Sequence, residues 1–404
     1  MSEITREQEV LLHLLQKSFR PDTEDLAKEI LQSADWRGVF KEAAQQAVLI
    51  TAFDAAAAYK ACIPGEVYMQ VFQRVSRGMM NNLRVSAAQK ELTTLLESKG
   101  YPCVILKGEV SAAYYPKPEL RHLGDVDFLI DPAQREEIEQ VLLDAGYDRS
   151  GQDHNWHIAF KKDKAHLEMH FEIPGIPVGK VGELIRQYRK DLLASAKRIR
   201  EGCWAPEDDQ HGLILLLHMG QHMISEGLGL RHLCDWAAFV DRTWQERFWQ
   251  EDLLPLLKEI GLFRYAAVMT KLCSMYLGIV FPPWAQAEDE LCNAVLNDIL
   301  IGGNFGRKDP ERSKAGMMLA EQETAGVSHS STEALFRKLH RATEKQYPIV
   351  KKVKILHPVL DAYRAGLYLC RRAAGKRPSL LKMAPLAQER RSVYEQLEIF
   401  ETQE

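Results

Sequence analysis

The sequence predicts an α+β protein, a small sheet domain set between two helical regions. Two observations carry this. Apolar residues recur at three- and four-residue spacing through the first hundred residues and again beyond Pro206. Between those stretches, short β-prone runs alternate with helical segments, the pattern of a mixed sheet. The chain has 404 residues, of which 27% are charged and 46% hydrophobic, enough for two or three soluble domains with substantial cores.

In order, the spacing predicts helices over Gln8–Phe19, Thr23–Ser33, Trp36–Ala61 and Gly65–Glu97, punctuated by Pro21 and Pro64-Gly65. Asp22 and Thr23 are candidate caps of the second helix, with Glu24 and Asp25 in its first turn. Strands are expected at Tyr101–Leu106, Asp125–Ile130, His157–Lys161 and Ala165–Ile173. Helices are expected at Gly108–Tyr115 and from Asp131-Pro132 to Ala145, with Gly146 as the stop. Later helices cover Asp208–Glu226, Leu230–Thr243, Glu251–Gly278 and Glu288–Ile301. The domain division is therefore 1–98 helical, 99–205 sheet core, 206–306 helical, 307–332 a polar linker and 333–404 a basic helical tail.

The tail is unusual in charge. Arg337–Lys382 holds thirteen Lys or Arg against Glu344 and Asp361, a net +11, so with the whole chain at −4 the remainder stands near −15. Such asymmetry suits an acidic partner such as phosphate groups, a nucleic acid or an anionic membrane surface, or else a helical face docked on the acidic remainder. The seven cysteines are scattered without a Cys-x-x-Cys pair, which argues against a disulfide framework or structural zinc and fits a reducing cytosol. No transmembrane segment is expected, and the polar N-terminus is unlike a signal peptide, so the expected location is cytoplasmic.

The chemistry centres on Asp125 and Asp127. In a strand, residues i and i+2 share a face, so these carboxylates project together while Val126, Phe128 and Ile130 face the core. Adjacent carboxylates repel unless a cation sits between them. Oxygen-only donors suit Mg²⁺ or Mn²⁺, which commonly serve phosphoryl or nucleotidyl transfer. Upstream, Lys107-Gly108 lies at a strand-to-helix turn, where glycine admits close phosphate approach and backbone N–H groups favour an anion. On the strand Ala165–Ile173, His166, Glu168, His170 and Glu172 share one face, and Glu168 supplies a third carboxylate. His218 and His222, at i and i+4, read as packing against substrate or the sheet domain rather than as a zinc site with His232 or Asp235.

Leu106-Lys-Gly108, Tyr115-Pro116, Arg121, Gly-Asp-Val-Asp-Phe-Leu-Ile130 and Leu-Glu-Met-His170 together resemble the uncharacterised nucleotidyltransferase family of bacteria, within the polymerase-β-like nucleotidyltransferase superfamily. The likeness runs from about Trp36 to Phe305, taking in His218-Met-Gly-Gln-His222 and Leu230-Arg-His-Leu-Cys-Asp235. It implies a polymerase-β-like core and an NTP as co-substrate. Asp125 and Asp127 would hold two Mg²⁺ ions, and Glu168 would complete the site beside an acceptor hydroxyl. Gly108 would seat phosphates, with Lys107 and Arg121 as charge partners, and His170 would orient Glu168 or touch substrate. One position departs from the superfamily, which usually has Gly-Ser after its first strand. Here Gly108 is followed by Glu109, a carboxylate that repels phosphate unless it points away, and Ser111 lies two residues further on.

The expected activity is transfer of a nucleoside monophosphate from an NTP to a hydroxyl of an unidentified acceptor, whether small molecule, glycan, peptide or protein. The alternative is a non-catalytic nucleotide-binding or antitoxin-like regulatory protein of the same fold. Three convergent carboxylates favour the enzyme. A nucleic-acid-end-modifying transferase is disfavoured, because aromatic residues do not interleave with basic ones to form a stacking platform.

Overall fold

The computed structural model describes residues 4–151, 156–309, 343, 347, 358–364, 366, 390 and 392–401. All but the first three residues of the expected linker 307–332, and most of the expected basic tail, lie outside the described residues.

The first helix, α1 (Arg6–Phe19), starts at a capping box in which the Thr5 hydroxyl accepts from the Gln8 N–H and the Gln8 side chain accepts from the Thr5 N–H. Its buried Val10, Leu11, Leu14 and Leu15 recur at helical spacing. The second helix, α2 (Lys28–Ser33), begins later than expected. Asp25 does not enter a first turn, because its carboxylate is taken by Lys17 at 2.7 Å and the Tyr59 hydroxyl at 2.5 Å. The expected helix Trp36–Ala61 is broken into α3 (Trp36–Gln45), α4 (Leu49–Ala56) and a 3-10 turn. The break has a tertiary cause. The fully buried Gln46 donates to the Ile299 carbonyl and accepts from the Leu230 N–H, so the chain leaves the helix there, with Ala47 at φ 58°.

The long α5 (Gly65–Ser98) leads into the sheet. Strands β1 (Val104–Ile105), β2 (Val126–Leu129), β3 (Asp148–Ser150), β4 (His157–Lys162) and β5 (Ala165–His170) pair in the order β1-β2-β5-β4-β3. Only β2 and β5 are parallel; the other pairings are antiparallel. The sheet is therefore mixed, and the chain is α+β as its sequence pattern predicts. Strand β3 carries no sequence pattern that would mark it, since Asp148 and Arg149 are exposed on the sheet edge. Asp163 at φ 54° closes the β4–β5 hairpin.

One face of the sheet is apolar. Val126, Phe128, Ile130, Leu167 and Met169 form a core with Val85, Leu92 and Leu96 of α5 and with Ile138 and Leu142 of α7 (Arg135–Asp144). The one-turn α6 (Glu109–Ala112) precedes α7, and α8 (Lys180–Tyr188) follows the sheet. A second hairpin pairs β6 (Lys197–Arg200) with β7 (Cys203–Ala205), with Gly202 at φ 71° between them. Both α8 and this hairpin are additions to the predicted elements.

Helices α9 (Asp208–Ile224) and α10 (Leu230–Thr243) come next. The expected helix Glu251–Gly278 is split into α11 (Leu254–Glu259) and α12 (Phe263–Leu277). At the split, Gly261 has φ 70° and a Cβ there would meet the Glu401 carbonyl oxygen at 2.4 Å, so the C-terminal segment packs where only glycine fits. Helix α13 (Asp289–Gly302) completes the body. One apolar core runs from Val10 and Trp36 through Leu216, Trp236 and Tyr265 to Leu300, so the N- and C-terminal helices share it. No helix among the described residues is long and apolar enough to cross a membrane.

Candidate active site

The polar face of the sheet forms the floor of a cavity of about 470 Å³, and α9, α10 and residues 304–307 wall it. Lys107, Gly108, Arg121, Asp125, Asp127, Glu168 and His170 all line this cavity. The register explains the convergence. Asp127 on β2 lies directly opposite Glu168 on β5, and Leu129 opposite His170. Asp125, two residues before Asp127, projects from the lead-in to the strand on the same side. The lead-in is clamped from α5: Asn82 donates to the Arg121 carbonyl and accepts from the Leu123 N–H, both at 2.8 Å.

Asp127 is the electrostatic centre. Its Oδ1 lies 3.1 Å from Lys107 Nζ and 3.1 Å from His170 Nε2, which is also 3.4 Å from a Glu168 oxygen. Burial pushes the Asp127 carboxyl up, but the Lys107 charge and the His170 bond outweigh it and hold the group well below the usual carboxylate range. Asp125 shifts the other way, raised by burial and then by the Glu168 and Asp127 charges. Lys107 also donates to His218 Nε2 at 2.7 Å, joining the sheet floor to α9.

The remaining candidates are placed as follows. The fork of Arg121 is taken by Asp235 of α10 in two 2.7 Å bonds, so it sits in the cavity wall as half of a buried ion pair. Gly108 precedes α6 with φ 62°, ψ −112°. That helix is a single turn, shorter than the expected Gly108–Tyr115, which leaves little helix dipole at this corner. Glu109 points away from the cavity: it is 6% exposed, accepts from Gln89 Nε2 at 2.6 Å and pairs with Arg200. The repulsion that Glu109 threatened is thus absent from the cavity corner at Gly108. Ser111 is buried beside His211 and does not line the cavity. Glu172 falls beyond β5 and pairs with Arg186 and Arg189.

Sequence reasoning missed several cavity residues. His157 packs its ring 5.0 Å from that of His170. Arg231 also lines the cavity, and the clamp by Asn82 had no local signature. The histidine group that the sequence offers as an alternative zinc site does come together. His218, His222 and His232 offer nitrogens within 4.8 Å of one another.

The model of a known family matches residues 32–278, a span that contains all of these residues. The chain belongs to the uncharacterised nucleotidyltransferase family. This nucleotidyltransferase is matched across all seven candidate residues, from before α3 to the end of α12, while the charged tail lies outside the match. No curated protein and no solved structure matches the chain. Membership supports nucleotidyl transfer as the general activity, with an NTP as substrate and a divalent metal as the family's general requirement.

Proposed function

We propose that this nucleotidyltransferase uses Mg²⁺ or Mn²⁺ to transfer a nucleoside monophosphate from an NTP to a hydroxyl of an acceptor. The observation that carries the reading is the register of β2 against β5, with Asp127 opposite Glu168 and Asp125 beside them over one cavity.

The donor set fits a hard divalent cation. Asp125, Asp127 and Glu168 offer only oxygen, and burial and then the Glu168 and Asp127 charges raise the Asp125 carboxyl, a repulsion that a cation would relieve. Bound divalent ions supply charge neutralisation for the triphosphate and lower the pKa of the acceptor hydroxyl. The chain's own groups do the rest. His170 bonds both Asp127 and Glu168 and fixes their mutual orientation. Lys107 brings a positive charge to Asp127, at the corner where Gly108 leaves open space for a phosphate. Glu168, about one-third exposed at its side chain, is the carboxylate best placed to meet an incoming acceptor.

The test is incubation with each of four α-labelled NTPs and Mg²⁺ or Mn²⁺, with the protein alone and with cell extract. Label on protein, small molecule or RNA identifies the acceptor class. Absence of transferred label in every combination would overturn the reading.

A further inference from the structure

The cavity wall across from the carboxylates is cationic and rich in unused donors. Arg231, in the first turn of α10, lies half-buried against the Phe305 ring at 5.6 Å. Its Nε is sealed from solvent without a hydrogen-bond acceptor, and its guanidinium makes no ion pair among the described residues. Asp235, the carboxylate one turn further on, is already engaged by Arg121. Removing a guanidinium from water without a counter-charge is costly unless an anion completes it.

His232 adds a second donor. It is 3% exposed and lines the cavity. Its Nδ1 accepts from the Gly229 N–H at 3.3 Å, so the proton of the neutral ring sits on Nε2, which is buried without a partner. Burial and the charges of Arg231 and His222 keep this ring far below the ordinary histidine range, in its neutral form. Glu226 lies 3.6 Å from His222 Nδ1 in this corner.

An ammonium faces the histidine group. His218 Nε2 accepts from Lys107 Nζ at 2.7 Å and lies 2.9 Å from His222 Nε2. The Nε2 of His232 keeps its proton for the reason just given. A guanidinium fork beside an imidazole N–H matches the oxygens of a phosphate.

We propose that Arg231 and His232 form an oxyanion subsite that takes a phosphate group, across the cavity from Asp125, Asp127 and Glu168. The phosphate belongs either to the tail of the NTP or to the acceptor; this choice rests on the nucleotidyltransferase reading, whereas the subsite itself does not.

The probe is inorganic tripolyphosphate and inorganic phosphate without metal, titrated calorimetrically into the full chain. Arg231→Gln and His232→Gln should each weaken binding roughly tenfold or more. Arg247→Gln, which removes an exposed helical ion pair with Glu251, should leave it unchanged. Should Arg231→Gln not fold, His232→Gln carries the same expectation. Failure of the wild type to bind either anion, or equal binding by the folded variants, overturns the subsite. If Arg231→Gln weakens a nonhydrolysable Mg²⁺–NTP but not Mg²⁺–NMP, the occupant is the triphosphate tail. If it weakens only phosphate added to the NTP-saturated protein, the occupant is an acceptor phosphate. Asp127→Asn should retain metal-free anion binding, so loss of metal–nucleotide binding and loss of the subsite are read separately.

Discussion

Arg121 and Asp235 meet in a two-pronged ion pair, Nε to Oδ1 and Nη2 to Oδ2 each at 2.7 Å, with both residues 5% exposed. The Tyr115 hydroxyl donates to the same Oδ1 at 2.7 Å. The pair ties the lead-in to Asp125 to helix α10, four residues before the first carboxylate of the site. Burial raises the Asp235 carboxyl, but the Arg121 charge and its bonds outweigh this and hold it below the ordinary range.

Breaking that pair from one side should be costly. Asp235→Asn leaves the Arg121 guanidinium buried without a counter-charge, and the expected loss is about 3–5 kcal/mol. Replacing both partners by apolar residues of similar volume should recover much of it. Urea unfolding of the single and double variants measures the difference. A single-variant loss under about 1 kcal/mol would mean that water reaches the pair.

Gly108 tests the backbone at the corner proposed to seat phosphate. At φ 62°, ψ −112° it occupies a region open to glycine, and a Cβ would meet nothing within 4 Å. Gly108→Ala therefore carries only conformational strain, about 1–3 kcal/mol, with no steric clash. Denaturant midpoints should fall accordingly, and nucleotide binding should weaken if the turn shifts to relieve the strain. An unchanged midpoint would show that the strained conformation is unnecessary.

Acid should destabilise the fold through its buried histidines. His211 has no exposed surface, stacks on Tyr114 at 5.4 Å, and is held at about 4 chiefly by burial. Its folded value lies below the unfolded 6.5, so the unfolded chain binds the extra proton between them. The contribution is complete above about pH 6.5 and is lost as pH falls towards 4, on the order of 3 kcal/mol for this one ring. Urea midpoints of His211→Phe should fall less between pH 7 and pH 4.5 than those of the wild type. Parallel slopes would remove His211 as a cause.

What was legible in the sequence follows the range of the interactions involved. Asp125 and Asp127 are two residues apart, and strand alternation alone puts them on one face. Glu168 lies on the ionisable face of its strand, yet its position opposite Asp127 depends on β5 pairing parallel to β2, which no local pattern specifies. That Asp235 takes the fork of Arg121 has no local signal either, since the two lie 114 residues apart. The break after Gln45 is invisible locally for the same reason, since Gln46 is held by residues of α10 and α13. The hairpin at Lys197–Ala205 escaped because Lys-Arg-Ile-Arg offers charged residues where strand alternation would show apolar ones.

The decisive expectation concerns Asp127. Anything that binds the folded chain alone raises its melting temperature, by about 2.7 kcal/mol of stabilisation at a hundred times the dissociation constant. A nonhydrolysable NTP with Mg²⁺ should raise the wild-type melting temperature, and the chelator EDTA should reverse the rise. Asp127→Asn keeps the shape of the side chain but removes its charge, so the Mg²⁺-dependent rise should vanish. Glu168→Gln should reduce catalysis more than binding, because the carboxylate opposite Asp127 is assigned to the acceptor side. Thermal shifts for the three proteins, with and without metal, read the binding, and transfer of label from an α-labelled NTP reads the catalysis. An undiminished Mg²⁺-dependent rise in Asp127→Asn would place the metal elsewhere in the molecule and remove the Asp125–Asp127 pair from the mechanism.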